Sequence, residues 1–121
     1  MLSVTPAATT PIYLYTAPTD MRKGFAGLSG LVEDASDLRV TGGGLFVFIN
    51  RRRDRMKVLC FDGDGLVLWY KQLERGRYQL PDAAAGTDDR LPIDATQLRL
   101  ILDGVDLNSA KRRKRFTPAS G

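Results

Sequence analysis

The sequence predicts a single compact α+β domain, with a mostly antiparallel sheet of four or five strands and two main helices. A chain of 121 residues, of which 43% are apolar, suits one domain with one modest core. Three runs rich in β-branched and aromatic residues follow one another between positions 45 and 73. Apolar residues also recur at helical spacing near positions 25 and 98.

The first strand and the first helix are predicted from residues 12–35. Residues 1–11, rich in Thr, Ala and Pro, form a loose lead-in, and residues 12–16 suit a short strand. Pro18-Thr19-Asp20 offers a helix start. Three glycines lie on one side of this helix, and we interpret them as close backbone packing against a neighbour. The apolar stripe comprises Met21, Phe25, Leu28, Leu31, Val32 and Ala35, and the glycines are Gly24, Gly27 and Gly30.

The central strands are predicted at Leu45 to Ile49, Met56 to Phe61 and Leu66 to Leu73. All three are apolar on both of their alternating faces, whereas a sheet with one wet face alternates more cleanly. We therefore expect helices on one face of the sheet and either more protein or a partner on the other.

Residues 81–92 are predicted as a polar loop with two prolines, and a second helix follows. Asp94 and Gln97 have the spacing of a capping box, in which each side chain accepts from the main-chain N–H of the other residue. Gly104 ends this helix. The domain then spans residues 12–107, and residues 108–121 form a basic, mobile tail.

The segment "DGDG" at residues 62–65 predicts a hairpin turn. In the simplest register Phe61 lies opposite Leu66, so that Lys57 lies opposite Tyr70 and Arg55 lies opposite Gln72. Two groups of cations, separated by about twenty residues of sequence, then meet at the open end of the hairpin.

The distribution of charge indicates a polyanionic partner. The net charge is +4, but residues 51–57 and 111–115 together carry +9 and the rest of the chain carries −5. Nucleic acid is the first candidate and an anionic membrane surface the second. A membrane role is disfavoured because neither an apolar helix face nor a lipid anchor accompanies the basic tail.

The cations at the open end of the hairpin are candidates for phosphate binding, because the guanidinium fork can donate two parallel hydrogen bonds. The alternative without a binding function is a solvated turn in which Asp54 and Glu74 pair with some of the arginines. The predicted nucleic-acid-binding residues are Arg51, Arg52, Arg53, Arg55, Lys57, Lys71, Arg75 and Arg77 in the hairpin, and Lys111, Arg112, Arg113, Lys114 and Arg115 in the tail.

Residue types disfavour an enzyme. The chain has no histidine and one cysteine, which removes the commonest general base and disfavours a structural zinc site. Asp64 and Glu74 are ten extended residues apart, about 30 Å, too far to share a magnesium ion. We predict no catalytic residue, no metal and no cofactor. Neither a secretory signal nor a membrane span is visible, so a cytoplasmic location is expected.

Three stretches resemble the TnpB-type accessory proteins of the sixty-six family of bacterial insertion sequences. They are "TDMRKGFAGL", "LFVFINRRRDRMKVLCFDGDGLVLWYKQLERGRYQLP" and "QLRLILDGVDL", and the likeness covers roughly residues 11–107. The chain departs from the family pattern at Arg53, where glycine is usual. It also has Cys60-Phe61 in place of a Tyr-Trp pair, and Leu80 in place of an aromatic residue.

The resemblance implies a small non-catalytic protein that acts in transposition beside a separate transposase. We expect it to bind DNA, mainly at the phosphate backbone, or the transposase–DNA complex. Two alternatives stay open: an adaptor that binds the transposase or forms a homo-oligomer through its apolar sheet, and an RNA-binding regulator of the element.

Overall fold

The computed structural model describes residues 10–34, 36–81 and 90–104 of the chain. These residues form one five-stranded sheet and two α-helices, which confirms the α+β class. In chain order the elements are β1 (Ile12–Tyr15), α1 (Phe25–Asp34), a 3-10 turn (Val40–Gly42), β2 (Leu45–Ile49), β3 (Arg55–Phe61), β4 (Leu66–Gln72), β5 (Arg90–Ile93) and α2 (Ala95–Asp103).

The strands lie in the order β4-β3-β2-β1-β5. β1 and β2 are parallel, and the other three neighbouring pairs are antiparallel. A parallel pair needs a crossover connection, which α1 provides between β1 and β2. The sheet is therefore mixed but mostly antiparallel, as predicted.

The hairpin of β3 and β4 has the predicted register. Phe61 pairs with Leu66, Lys57 with Tyr70 and Arg55 with Gln72. At the turn the N–H of Asp62 donates to the carbonyl of Gly65 at 3.0 Å. Gly63 has a φ of 99°, a conformation that glycine adopts without steric cost.

The prediction of a loop through residues 81–92 is wrong at its end, because Arg90–Ile93 is strand β5 and pairs with β1. Pro92 lies opposite Tyr13, and a proline without an N–H is tolerated because β5 is an edge strand. A four-residue strand that contains a proline has almost no local signal. Its pairing with β1 decides the conformation.

One helix lies on each face of the sheet, so the expectation that the helices share one face is wrong. Leu28 and Val32 of α1 pack in one cluster, and Leu98 and Ile101 of α2 pack in the other. The sheet residues of the α1 cluster are Phe46, Phe48 and Leu59. Those of the α2 cluster are Ile12, Leu14, Leu45, Val47, Ile49, Met56, Val58 and Ile93. Helices on both sides explain why the central strands are apolar on both faces.

The first helix begins at Phe25 and not at the predicted Pro18-Thr19-Asp20 start. Asp20 instead closes a turn: its side chain accepts from the N–H of Arg22 at 2.9 Å, and its carbonyl accepts from the N–H of Lys23 at 3.1 Å. A long-range contact fixes this turn, since the carbonyls of Met21 and Lys23 accept hydrogen bonds from Lys57.

The predicted role of Gly24, Gly27 and Gly30 is also wrong. A Cβ at Gly24 would meet nothing within 4 Å, and at Gly27 and Gly30 it would meet only side chains of the same segment. Phe25 and Leu31, which the helical stripe placed in the core, are 48% and 36% exposed. Phe25 and Leu31 therefore flank the buried stripe of Leu28 and Val32 and do not join it.

The second helix matches its prediction. The Asp94 side chain accepts from the N–H of Gln97 at 2.7 Å, and the Gln97 side chain accepts from the N–H of Asp94 at 3.0 Å, which completes the capping box. Gly104 ends the helix in the left-handed conformation, with a φ of 79°.

Candidate nucleic-acid interface

The loop between β2 and β3 is closed by one side chain, Asn50. Its Oδ1 accepts from the N–H of Asp54 and from that of Arg55, each at 3.0 Å, and its Nδ2 donates to Asp54 Oδ1 at 2.7 Å. Its carbonyl accepts from the N–H of Arg53 at 3.0 Å. The local bonds to Asn50 fold the segment into a tight turn whose outer residues, Arg51 to Arg53, are exposed.

Arg53 has a φ of 60°, and among the described residues it is the only non-glycine residue with a positive φ. This left-handed conformation costs an L-residue about 1–2 kcal/mol relative to glycine. The conformation explains why glycine suits this position of the loop. The chain places a third arginine there at that conformational cost.

The chain that follows β4 is bonded to the same loop. The N–H of Leu73 donates to the carbonyl of Asp54, and the N–H of Tyr78 donates to the carbonyl of Arg53, both at 2.7 Å. Tyr78 is fully buried in the α2 cluster, which anchors the segment. Arg75 and Arg77, both exposed, are therefore held beside the loop of β2 and β3.

The structure thus brings most of the predicted hairpin cations to one end of the sheet. Six of them are exposed and Arg55 is half-buried. We call this group the cationic end, and it comprises Arg51, Arg52, Arg53, Arg55, Lys71, Arg75 and Arg77. The tail cations Lys111, Arg112, Arg113, Lys114 and Arg115 lie outside the described residues.

No carboxylate among the described residues forms an ion pair with a cation of the cationic end, although the charge of Asp54 interacts with Arg52 and Arg55. Among the described residues, ion pairs join Arg22 to Asp20 and Arg39 to Glu33, and neither includes a cation of this group. Asp54 lies within the loop, but its carboxylate is bonded to Asn50. That hydrogen bond, helped by the charges of Arg52 and Arg55, lowers the pKa of Asp54 below its usual value, so the carboxylate stays ionised.

Lys57 is a correction to the predicted site. The residue is 6% exposed, and its Nζ donates to the carbonyls of Met21 at 2.7 Å and Lys23 at 2.8 Å. The same ammonium lies 4.6 Å from the centroid of the Tyr70 ring. Lys57 is therefore a buried structural cation. Strand alternation in the sequence does not show it, because its partners lie more than thirty residues away.

Two cations that were not predicted adjoin the cationic end. The N–H of Thr19 donates to the carbonyl of Ile49 at 2.9 Å, next to Asn50, and Lys57 holds the carbonyl of Lys23. The turn between them exposes Lys23 and Arg22, whose side chain is 91% exposed and paired with Asp20 at 2.6 Å. The Arg22-Lys23 dipeptide is a basic pair that can be seen in the sequence. Its place beside the cationic end was missed because the sequence prediction put these residues in the first turn of a helix.

The described residues were also compared with the requirements of a metal site, a reactive thiol and a membrane span. No three His, Cys, Asp or Glu side chains in the described ranges lie close enough together to hold a metal ion. Cys60 is half-buried in β3, and burial raises the pKa of its thiol, with a smaller effect from Asp62. In the described part of the chain, neither helix has the length and apolarity needed to cross a bilayer.

Comparison with known proteins gives a family. The family model described as IS66 Orf2 like protein matches residues 10–112 of the chain. Two relatives from Sinorhizobium fredii are similar over most of both chains. Uncharacterized protein y4hO is 38% identical over 95 residues, which cover 78% of this chain and 80% of the relative. Uncharacterized protein y4jC is 33% identical over 102 residues, covering 84% and 85%. No solved structure matches the chain.

Proposed function

The chain belongs to the IS66 Orf2-like family of insertion-sequence proteins, whose role is accessory to transposition, and we propose that it serves that role by binding DNA through the cationic end. It does so without catalysing a reaction of its own. The element's transposase, a separate protein, supplies the chemistry.

One observation carries this proposal: the 2.7 Å hydrogen bond from the N–H of Tyr78 to the carbonyl of Arg53. It fixes the segment with Arg75 and Arg77 beside the arginine loop, so that seven cations share one end of the sheet. A single arginine-rich turn is commonly just solvated. Two hydrogen-bonded cationic segments whose cations form no ion pair among the described residues favour an external anion.

Phosphate is the anion that the side chains fit best. Six of the seven cations are arginines, whose planar fork donates two parallel hydrogen bonds to phosphate oxygens. The amide in the loop that could read a base edge, that of Asn50, is occupied by Asp54 and Arg55. Contacts to the backbone with weak sequence preference and a steep dependence on salt are expected.

The test is a mobility-shift series across several salt concentrations, with the terminal repeats of an IS66-type element against unrelated duplex. Arg51→Ala/Arg52→Ala should weaken binding to both duplexes. Because each phosphate contact contributes about 0.9 to the slope of log K against log salt, the loss of two contacts should flatten that slope by about 1.8.

The control removes the same charge elsewhere. Arg39 precedes β2 at the opposite end of the sheet, and Arg99 is exposed on α2. Arg39→Ala/Arg99→Ala should leave most of the slope unchanged. Equal losses for the two double variants would show that net charge, and not the cationic end, governs binding. Unchanged affinity of a folded Arg51→Ala/Arg52→Ala protein would refute the proposal.

An adaptor role is the second candidate, and two exposed apolar side chains of α1 favour it. Phe25 and Leu31 are exposed large hydrophobic residues on one helix, as in a surface that contacts another protein. If this role is the primary one, a stoichiometric complex with the transposase copurifies after nuclease treatment, and Phe25→Asp disrupts it. An RNA-binding regulator would use the cationic end, and competition between duplex DNA and single-stranded RNA separates it from the DNA-binding role.

A further inference from the structure

β4 is an edge strand with an unusually apolar sequence. It spans Leu66–Gln72, reads LVLWYKQ and is the first strand in the order of the sheet. Leu66 is 38% exposed and Tyr70 is 50% exposed. Within the described ranges no strand lies on its outer side. A long edge strand with a single charge presents a row of outward N–H and C=O groups, and proteins usually cover or blunt such an edge.

The other edge strand, β5, has features that prevent pairing with a further strand. β5 has four residues, and one of them, Pro92, has no N–H to offer a further strand. β4 has seven residues, no proline and no glycine. Lys71 is its only charged residue, and it is the penultimate residue of the strand. The two edges therefore differ, and β4 retains the features of a strand that pairs.

The outward hydrogen-bonding groups of β4 can be assigned. The N–H of Leu73 donates to the carbonyl of Asp54, and the N–H of Asp62 donates to the carbonyl of Gly65, so residues 65 and 73 face β3. Main-chain groups alternate along an antiparallel strand. Those of Leu66, Leu68, Tyr70 and Gln72 therefore point away from β3, toward the open edge.

We propose that this edge pairs antiparallel with β4 of a second copy of the chain, about a twofold axis, to form a continuous ten-stranded sheet. Charge selects this occupant and this orientation. Asp62 and Asp64 lie in the turn before β4. At its other end Lys71, Arg75 and Arg77 outnumber the one carboxylate, Glu74. Antiparallel pairing sets the acidic turn of each copy beside the basic end of the other, twice per dimer.

The same comparison disfavours a parallel arrangement of two copies. It would place acidic turn against acidic turn and basic end against basic end, and like charges directly opposed are destabilising. A parallel arrangement would also not close on itself, whereas a twofold axis gives a closed dimer. The charge pattern of one strand thus specifies both the partner and its direction.

Side chains then choose the register. Antiparallel partners point to the same face of a sheet, so even-numbered residues of one copy meet even-numbered residues of the other. A twofold axis at Leu68 pairs Leu66 with the partner's Tyr70 and Val67 with the partner's Trp69. It joins the two most exposed apolar side chains of β4. It also sets Gly65 opposite the partner's Lys71, so that Asp64 lies one residue from that lysine.

The test is the mass of the full chain by sedimentation equilibrium over a range of concentrations without DNA. A reversible dimer, twice the 13.4 kDa of the chain, is expected. Leu66→Lys should weaken dimerisation about tenfold or more, because each dimer loses two apolar cross-strand pairs. Leu31→Lys is the matched control, since Leu31 has almost the same exposure, 36% against 38%, but lies on α1. It should leave dimerisation unchanged.

A charge exchange tests the direction of pairing. Asp64→Lys and Lys71→Asp should each weaken the dimer, and the double variant Asp64→Lys/Lys71→Asp should restore it, because the exchanged charges again face each other. Amide hydrogen exchange gives a second measurement. The N–H groups of Leu66, Leu68 and Tyr70 should become protected as protein concentration rises.

A monomer at all concentrations would overturn the proposal. So would a dimer that Leu31→Lys weakens and Leu66→Lys does not, which would place the interface on α1. Protection of the even-numbered β4 amides in a monomer, independent of concentration, would mean that the chain's own undescribed residues cover the edge. Protection only after addition of transposase would assign the edge to that protein.

Discussion

The Nζ of Lys57 donates to the main-chain carbonyl of Met21 at 2.7 Å, although 36 positions separate the two residues. This bond and its neighbour to Lys23 attach the turn before α1 to strand β3. The sequence predicts Lys57 to be part of a basic surface, but in the structure it is buried and holds the turn before α1 against β3.

Lys57→Met should destabilise the fold. The substitution keeps most of the buried stem but leaves two carbonyls without their charged donor, at a cost of about 3 kcal/mol. The free energy of unfolding in urea measures it. The control Arg99→Met, at an exposed position of α2, should change it by less than about 0.5 kcal/mol. Similar losses for both variants would contradict the assigned role.

Arg53→Gly should stabilise the loop. Glycine adopts the positive φ of this position without the clash that an arginine Cβ causes, and the gain should be about 0.5–1 kcal/mol after the entropy of the unfolded chain is counted. Arg52→Gly, one residue earlier, should lose a similar amount instead. Denaturation curves of both variants give the signs, and a loss at Arg53 would show that its conformation carries no strain.

Asn50→Ala should change the dependence of stability on pH. The hydrogen bond from Asn50 lowers the folded-state pKa of Asp54 below its ordinary value of 3.8. A lowered folded pKa means that this carboxylate stabilises the protein fully above the unfolded pKa, and that the contribution is lost as pH falls through the folded pKa.

In the variant, the pKa of Asp54 should rise toward 3.8 and the stability lost on acidification should decrease. Carboxyl NMR titration follows the pKa, and unfolding at several pH values between about 2 and 6 follows the stability. If the titration of Asp54 is the same in both proteins, the bond to Asn50 does not set its pKa.

Asp94→Ala should cost about 1 kcal/mol, because the N–H of Gln97 loses its acceptor at the start of α2. Thr96→Ala, at an exposed position in the same turn, should stay within about 0.5 kcal/mol. Thermal or urea unfolding measures both. α2 covers one face of the sheet, so fraying at its N-terminus should be visible as faster amide exchange in its first turn.

Lys23→Ala should reduce DNA affinity and flatten the salt slope by about 1, if the turn before α1 contributes one phosphate contact. Asp20→Asn should act in the opposite direction, because it releases the guanidinium of Arg22 and removes a negative charge from the surface. Mobility shifts with both variants, and with Arg39→Ala as control, test this. No response to either change would confine the interface to the arginine loop and the segment after β4.

The sequence alone determined the hairpin of β3 and β4 and the ends of α2. Both are local features. The "DGDG" turn fixes the register because a tight turn leaves few alternative pairings, and the capping box and Gly104 satisfy the ends of one helix with residues next to them. That register was enough to predict that Lys71 and the arginines near it meet the loop after β2.

Only the tertiary structure decided the rest. β5 forms because it pairs with β1. α1 starts at Phe25 because Lys57, far along the chain, donates to carbonyls that would accept intrahelical hydrogen bonds if the helix began earlier. The same bonds bury the ammonium of Lys57, while Lys23 contributes its main-chain carbonyl and its side chain stays exposed. The sequence shows which residues are cationic, but long-range packing sets which of them are buried. The sequence therefore could not separate the buried structural cation from the exposed cations of the candidate interface.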